Sequence, residues 1–237
     1  TLIWKLAPAL ASGNTVVIKP SERASCSTLE LMSILEEADL PEGLINVVTG
    51  FGPTTGAPLI EHDDVRMISF TGGTKGGSAA SLSASKKVKP IIMELGGKSP
   101  QIIFRDADIN LSVNGVVSGI FPVAGHSCIS GSRILVHKNI KDEFTNKLLE
   151  VVKKAKVGSP NDPSTQIGPI ANKEQYEFIL SKIDDAEKRG LKLLIDGRKE
   201  NKSEGYYIGP TIFDNVPNED DLAQNEIFGP VASIQTW

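Results

Sequence analysis

The chain has 237 residues, 40% of them hydrophobic and 23% charged, with a formal net charge of −4. That length and balance suit a globular protein of one large or two modest domains, and the slight acidity excludes an electrostatic footprint for nucleic acid. Two cysteines, Cys26 and Cys128, exclude a disulfide framework and point to a reducing, cytoplasmic compartment.

The opening TLIWKLAPALASG looks like a secretory leader only in its small-residue end. No basic region precedes the apolar run, and Lys5 and Pro8 interrupt it. No apolar run approaches the ~20 residues needed to span a bilayer, so no membrane partner is expected. The chain starts without Met in what reads as mid-helix and ends in the strand-like PVASIQTW, so it is expected to be a piece of a longer protein. Next, the β-branched runs 15–19, 45–49, 66–70 and 90–95 predict buried strands. Leu31, Ile34, Leu35 and Ala38 recur at helical spacing until Pro41 and Gly43 stop them, and a small-residue helix is expected after Gly77. Strand–helix alternation with nearly continuous apolar strands predicts a parallel sheet covered on both faces.

Past residues 96–100, GGKSP, the texture changes, and a domain boundary is expected near residue 97. A strand at 101–104 leads to an apolar helix over 109–121, the loop FPVAGHSCISGSR, and a strand at 134–137. Asn139 is expected to cap a helix with the core stripe Phe144, Leu148, Val151 and Ala155. Asn172 and Gln175 form a capping-box pattern ahead of Tyr176, Ile179, Leu180 and Ile183, and Gly190 closes that helix.

Four stretches could carry chemistry. In SFTGGTKGG (69–77) a strand runs into a helix through glycines, which aims backbone N–H groups and the positive helix end at a phosphate. It is neither a Walker A loop nor a G-x-G-x-x-G fingerprint. IKPSE (18–22) places Lys19 and Glu22 at the carboxyl end of a strand, where open α/β sheets bind ligands. A carboxylate there can accept from both hydroxyls of an adenosine ribose and would repel a 2′-phosphate. In MELGGKSP (93–100) Glu94 ends an apolar run, and a carboxylate held against apolar neighbours suits a general base. Cys128 lies in a Gly/Ser-rich loop where it could reach a cleft, whereas Cys26 reads as structural. Taken singly, each has a plainer explanation: a tight turn, a solvated charge pair, a strand-end Glu, a buried thiol. The three histidines and two distant cysteines offer no metal-ligand spacing.

Jointly and in order, WKLAPALASGNTVVIKPSE, FTGGTKGG, MELGGKSP, GHSC and NEIFGP (225–230) resemble the NAD(P)-dependent aldehyde dehydrogenase superfamily over essentially the whole chain. The resemblance implies an α/β fold of two lobes with mainly parallel sheets: a truncated Rossmann-type cofactor lobe, 1–97, and a C-terminally truncated catalytic lobe, 98–237. It implies that Cys128 is the nucleophile, Glu94 the general base, and Lys5 a lysine near the proton-exit route. Lys19 and Glu22 answer to the adenosine-ribose clamp, and Gly52 and Pro53 to the adenine wall. The pyrophosphate turn corresponds to Gly72, Gly73, Thr74 and Gly77, with Leu95 also on the cofactor side. Gln175 and Glu226 match the positions that hold the nicotinamide ribose, and Phe228 lies against the nicotinamide. Trp4, Phe121, Ser127 and Ile129 are the expected substrate walls. The implied cofactor is NAD, with NADP left open, and the implied reaction oxidises a small-molecule aldehyde to a carboxylic acid through a thiohemiacetal and a thioester. A homo-oligomer is implied for the full-length protein.

Two other readings stand beside this one: a catalytically incomplete fragment, and a cofactor-independent cysteine acyl hydrolase using Cys128 with Glu94 or His126. The chain departs from the family pattern at His126, where glutamine is usual, at Ser130, where a small non-hydroxyl residue is usual, and at Gly73, where many members have serine. The family reaction runs with a neutral amide at position 126, so His126 is expected to pack rather than act as a base. The family's oxyanion-hole asparagine is expected ahead of Thr1.

Overall fold

A computed structural model describes residues 1–200 and 204–237. The chain divides into two compact units, Thr1–Leu95 and Gly96–Trp237.

The first unit runs α1 (Leu2–Ala11), β1 (Val16–Ile18), α2 (Cys26–Glu36), β2 (Ile45–Val47), a π-helical turn Gly52–Gly56, α3 (Ala57–Glu61), β3 (Ile68–Thr71), α4 (Thr74–Ser85) and β4 (Ile91–Glu94). All four predicted strands form, but as two separate parallel pairs, β1 with β2 and β3 with β4. Nor are they covered on both faces as the apolar pattern led one to expect. Val17 is 44% exposed and Ile92 49%, so each pair has apolar side chains left uncovered. The small-residue helix begins earlier than expected: Gly77 lies inside α4, not ahead of it. Its lack of a side chain admits Leu95, since a Cβ at Gly77 would lie 2.5 Å from Leu95 Cδ2.

The second unit runs β5 (Pro100–Ile103), α5 (Ile109–Ile120), β6 (Arg133–Val136), α6 (Lys141–Val152), α7 (Lys173–Lys188), β7 (Lys192–Ile195), β8 (Thr211–Asp214), α8 (Asp221–Gln224) and β9 (Val231–Thr236). Its five-stranded sheet has the order β5-β6-β9-β8-β7, parallel except for β7. The apolar residues of these strands and helices meet in one core: Ile134, Phe144, Leu148, Ile179, Ile183 and Ile234 are all fully buried. Burying such a side chain contributes roughly 1.5–3 kcal/mol each, which is why this unit closes on itself. Asn139 does not cap α6. The His137 ring accepts from the Asn139 N–H, a short 3-10 turn follows, and α6 starts only at Lys141. Asn172 does cap α7, its Oδ1 accepting from the Gln175 N–H at 2.9 Å. Gly190, with φ of +82°, follows the helix.

No helix among the described residues is long and apolar enough to cross a membrane.

Candidate active site

In the first unit the candidate residues collect at the carboxyl ends of the strands, the edge at which open α/β sheets bind ligands. Lys19 leaves β1 and its Nζ donates to the carbonyl oxygens of Pro20 (2.6 Å) and Gly50 (3.2 Å), tying the ends of β1 and β2 together. Glu22 is exposed beyond it. Gly52 and Pro53 open the π-helical turn that follows β2. Beyond β3, Gly73 is the N-cap of α4, so no side chain caps the helix end and the N–H groups of its first turn have no side-chain acceptor there. Gly72 is required by Phe70, whose ring would lie 2.9 Å from a Cβ there.

Glu94 ends β4, paired in register with Thr71, and its carbonyl accepts from the Gly72 N–H at 3.1 Å. Its side chain is exposed, so the apolar burial expected of it is not found in this unit. What it has instead is a charged neighbour. Burial pulls the Lys5 ammonium below the ordinary lysine range, and the negative charge of Glu94 works against that shift. Lys5 also donates to Ser69 Oγ at 2.9 Å. Trp4, one residue earlier on α1, is 78% exposed.

In the second unit the arrangement is reversed. The segment Gly96–Ser99 precedes β5, the Cys128 loop precedes β6, and the stretch 225–230 precedes β9. Because β5, β6 and β9 are adjacent and parallel, three motifs far apart in sequence arrive side by side at the amino ends of three neighbouring strands. Topology does the gathering here.

The Cys128 loop is held from several sides. Val123 and Ala124 adopt left-handed backbone angles, φ of 54° and 52°, which for residues bearing a Cβ costs on the order of 1–2 kcal/mol each. Gln101 Nε2 donates to the Gly131 carbonyl at 2.9 Å, and the Gly131 N–H donates to the Gly119 carbonyl at 3.0 Å. Ser130 Oγ reaches that same Gly119 carbonyl at 3.4 Å, so this departure from the family pattern is absorbed locally. The stretch 225–230 sits directly on the loop: a Cβ at Gly125 would lie 2.1 Å from the Gly229 carbonyl oxygen. Cys128 is a free, half-buried thiol, and Cys26 is free and exposed.

His126 turns away from base chemistry. Its Nδ1 lies 2.9 Å from the Val123 carbonyl, an acceptor, so Nδ1 carries the proton and donates. Burial lowers its pKa, leaving a neutral ring with a buried, unpartnered Nε2. The ring packs edge-on to Phe228 at 5.4 Å between centroids, and no hydrogen bond joins it to Cys128.

Gln175 and Glu226 meet the same segment. Gln175 Nε2 donates to the carbonyls of Ile227 (2.8 Å) and Phe228 (3.1 Å), so its side chain leaves the capping box half made and fastens the loop instead. The Glu226 carboxylate lies against Gly96, where a Cβ would sit 1.9 Å from Oε2, and its Oε1 is buried without a partner. A small recess is lined by Gly97, Ser127, Ser130, Glu226 and Phe228. Ile129 is 76% exposed, whereas Phe121 is only 3% exposed and belongs to the core. Phe121, expected as a substrate wall, is therefore corrected to a packing residue, because it closes α5 over the apolar interior. Sequence reasoning missed Gly97, whose Cβ would meet the Cys128 carbonyl oxygen at 3.1 Å, and Lys98, whose ammonium burial pulls down to a pKa of about 8. The doubled glycine was the available signal. Among the described residues, no cluster of side chains is arranged to hold a metal ion.

The sequence model of the Aldehyde dehydrogenase family matches residues 1–237. Betaine aldehyde dehydrogenase of Atriplex hortensis is 41% identical over 235 residues, covering 99% of this chain and 47% of the relative. Aldehyde dehydrogenase 1A1 of Gallus gallus is 45% identical over 236 residues, covering 99% and 46%. The crystal structure of betaine aldehyde dehydrogenase from Staphylococcus aureus in complex with NAD+ superposes with a TM-score of 0.94 at 37% identity, covering 99% of this chain and 47% of that one. The chain thus spans about half the length of the curated relatives it matches. With a match across its whole length and its motifs in order, the chain belongs to the aldehyde dehydrogenase family.

Proposed function

We propose that the protein carrying this chain oxidises an aldehyde to a carboxylic acid with NAD+, using Cys128 as nucleophile and Glu94 as general base. The observation that carries this reading is the seating of the segment with Glu226 and Phe228 directly on the Cys128 loop. The residues present suit the cofactor. An uncapped α4 start offers N–H groups to a pyrophosphate, Glu22 is free to accept ribose hydroxyls, and the buried, partnerless Glu226 Oε1 suits a second sugar. The carboxylate at position 22 favours NAD+ over NADP+. The first unit is then the partial cofactor domain and the second the catalytic domain.

NAD+, when bound, accepts a hydride. This chain's own residues supply the rest. Cys128 Sγ, as thiolate, attacks the aldehyde carbon and the carbonyl oxygen takes up the negative charge. Reforming the C=O bond as hydride departs leaves a thioester on Sγ. Glu94 removes a proton from water, the hydroxyl adds to the thioester carbon, and the thiolate leaves as the acid forms. Trp4, Ser127 and Ile129 would border the substrate. A homo-oligomer and a cytoplasmic site of action belong to the same proposal.

The test is NADH formation by the purified protein with NAD+ and a panel of aldehydes, betaine aldehyde and acetaldehyde among them. Cys128→Ala is expected to abolish it. Ester hydrolysis without any NADH would overturn the reading in favour of an acyl hydrolase.

A further inference from the structure

Phe228 adopts a backbone conformation that its side chain disfavours. Its φ is +54°, in the left-handed region, where a bulky residue persists only if its surroundings hold it there. Those surroundings are identifiable. Gln175 Nε2 fastens the carbonyls of Ile227 (2.8 Å) and Phe228 (3.1 Å), and a Cβ on the next residue, Gly229, would lie 2.5 Å from Ile179 Cδ1. With the main chain fixed in this way, the place of the Phe228 ring depends on its side-chain torsions alone. The ring is 38% exposed and lies outside the packed core, so the core does not set those torsions. Among the described residues, the aromatic ring that meets it is His126, edge-on at 5.4 Å between centroids and 79° between planes.

His126 is itself aimed. The Val123 carbonyl accepts twice from this residue, from the main-chain N–H at 3.0 Å and from Nδ1 at 2.9 Å. The main-chain bond closes the turn, and any residue but proline at position 126 could make it. The ring bond is additional, and what it fixes is the direction of the imidazole. With the proton on Nδ1, Nε2 carries none and is buried without a partner, so no second hydrogen bond draws the ring away from Phe228. Glutamine, usual at this position in the family pattern, offers an amide but no ring.

We propose that His126 is a positioning residue for Phe228: tied to the Val123 carbonyl, its imidazole gives the Phe228 ring a fixed rest beside the Cys128 loop. This rests on the NAD+ reading above for its ligand, since there the Phe228 ring meets the nicotinamide, though not for the contact between the two rings. The histidine then acts by shape and not by proton transfer.

Three substitutions separate the ring from its hydrogen bond. His126→Ala removes both, His126→Asn keeps a side-chain N–H without a ring, and His126→Phe keeps a ring without the N–H. The strength of an edge-on aromatic pair corresponds to about fivefold in a binding constant. His126→Ala and His126→Asn should therefore each raise KM for NAD+ about fivefold, and His126→Phe should stay within about twofold of the parent. A parental KM in His126→Ala, or a His126→Phe protein as impaired as His126→Ala, overturns the proposal. Recovery by His126→Asn alone would assign the residue to the turn and overturn it as well.

A ligand-free readout separates this from failure of the NAD+ reading, and it also decides the matter if a variant at position 126 does not fold. In protein labelled with 13C and 15N in histidine, the His126 signals (identified by their loss in His126→Asn) should shift when Phe228→Leu removes the neighbouring ring current. The signals of His62 and His137 should stay in place. The same spectra should show Nδ1 protonated and Nε2 bare at neutral pH. If the parent protein neither binds NAD+ nor makes NADH, the functional reading fails, and these spectra alone decide the contact. His126 signals unmoved by Phe228→Leu, or a ring protonated on Nε2 alone, overturn it.

Discussion

Replacing Gly125 by alanine tests whether the Cys128 loop and the Glu226–Gly229 segment act as one fitted piece. Two effects add at this position. Gly125 has φ of +74°, a conformation that costs a residue with a Cβ on the order of 1–2 kcal/mol. The new Cβ would also lie 2.1 Å from the Gly229 carbonyl oxygen, 2.2 Å from its carbon and 2.6 Å from Pro230 N. All three are backbone atoms, so no rotamer change relieves the clash. The segment must retreat by roughly 1 Å, at an overpacking cost of about 1–3 kcal/mol. Summed, the expected destabilisation is roughly 2–5 kcal/mol. The same displacement moves Phe228 and Glu226 relative to Cys128, and a shift of about 1 Å in a catalytic arrangement can lower the rate ~100-fold. The assay is thermal unfolding alongside NADH production, with Gly168→Ala as control, because a Cβ at Gly168 meets nothing within 4 Å. The control should melt as the parent does. A Gly125→Ala protein with parental melting and parental kcat/KM would refute the packing argument.

Two further outcomes concern pH. Burial lowers the His126 pKa below its ordinary value near 6.5, so the unfolded chain takes up this proton before the folded one does. Stability is therefore lost as pH falls below ~6.5 through the folded value. His126→Gln should remove that part of the acid loss in denaturant titrations, and should leave the pH profile of Cys128 alkylation unchanged; an inflection that disappears with the histidine would restore it as a base. Asp220 caps α8 and accepts two bonds from Arg189, at 2.9 and 2.7 Å, and that guanidinium holds its carboxyl below the usual range. Asp220→Ala should cost about 1–2 kcal/mol at neutral pH, a difference that closes as pH drops below ~4 and the parent's Asp220 is protonated. A difference that persists at low pH would assign the effect to packing.

Much of this arrangement was legible in the residues. Each motif predicted its strand or turn because punctuation by glycine, proline and small polar residues is local. The strands at 15–19 and 134–137 and the cap at Asn172 needed only neighbouring residues to be read. What was not legible depends on partners far away in the chain. The apolar runs of the first unit predicted two-sided burial, but periodicity reports what a strand could bury, not whether a layer exists to cover it. Phe121 looked like a wall because it stands beside Cys128 in sequence, yet its ring points into the core under α5. Lys98 drew no notice because a lysine after two glycines in a loop looks solvated. In the fold it is desolvated by burial, with the charges of Asp221 and Glu226 working to keep it protonated.

Gln175 bears on how such a protein could be engineered. At the third position of a helix, glutamate usually serves better than glutamine, since it completes a capping box and its charge suits the positive helix end. A stabilisation campaign guided by helix rules would therefore select Gln175→Glu. Here the side chain's task is to donate, to the carbonyls of Ile227 and Phe228, and a carboxylate would face two oxygens with nothing to give. The position illustrates a trade between local optimum and function. Resistance to a nominally favourable exchange, in a library sorted first for thermal resistance and then for turnover, would mark α7 as part of the working site rather than scaffold.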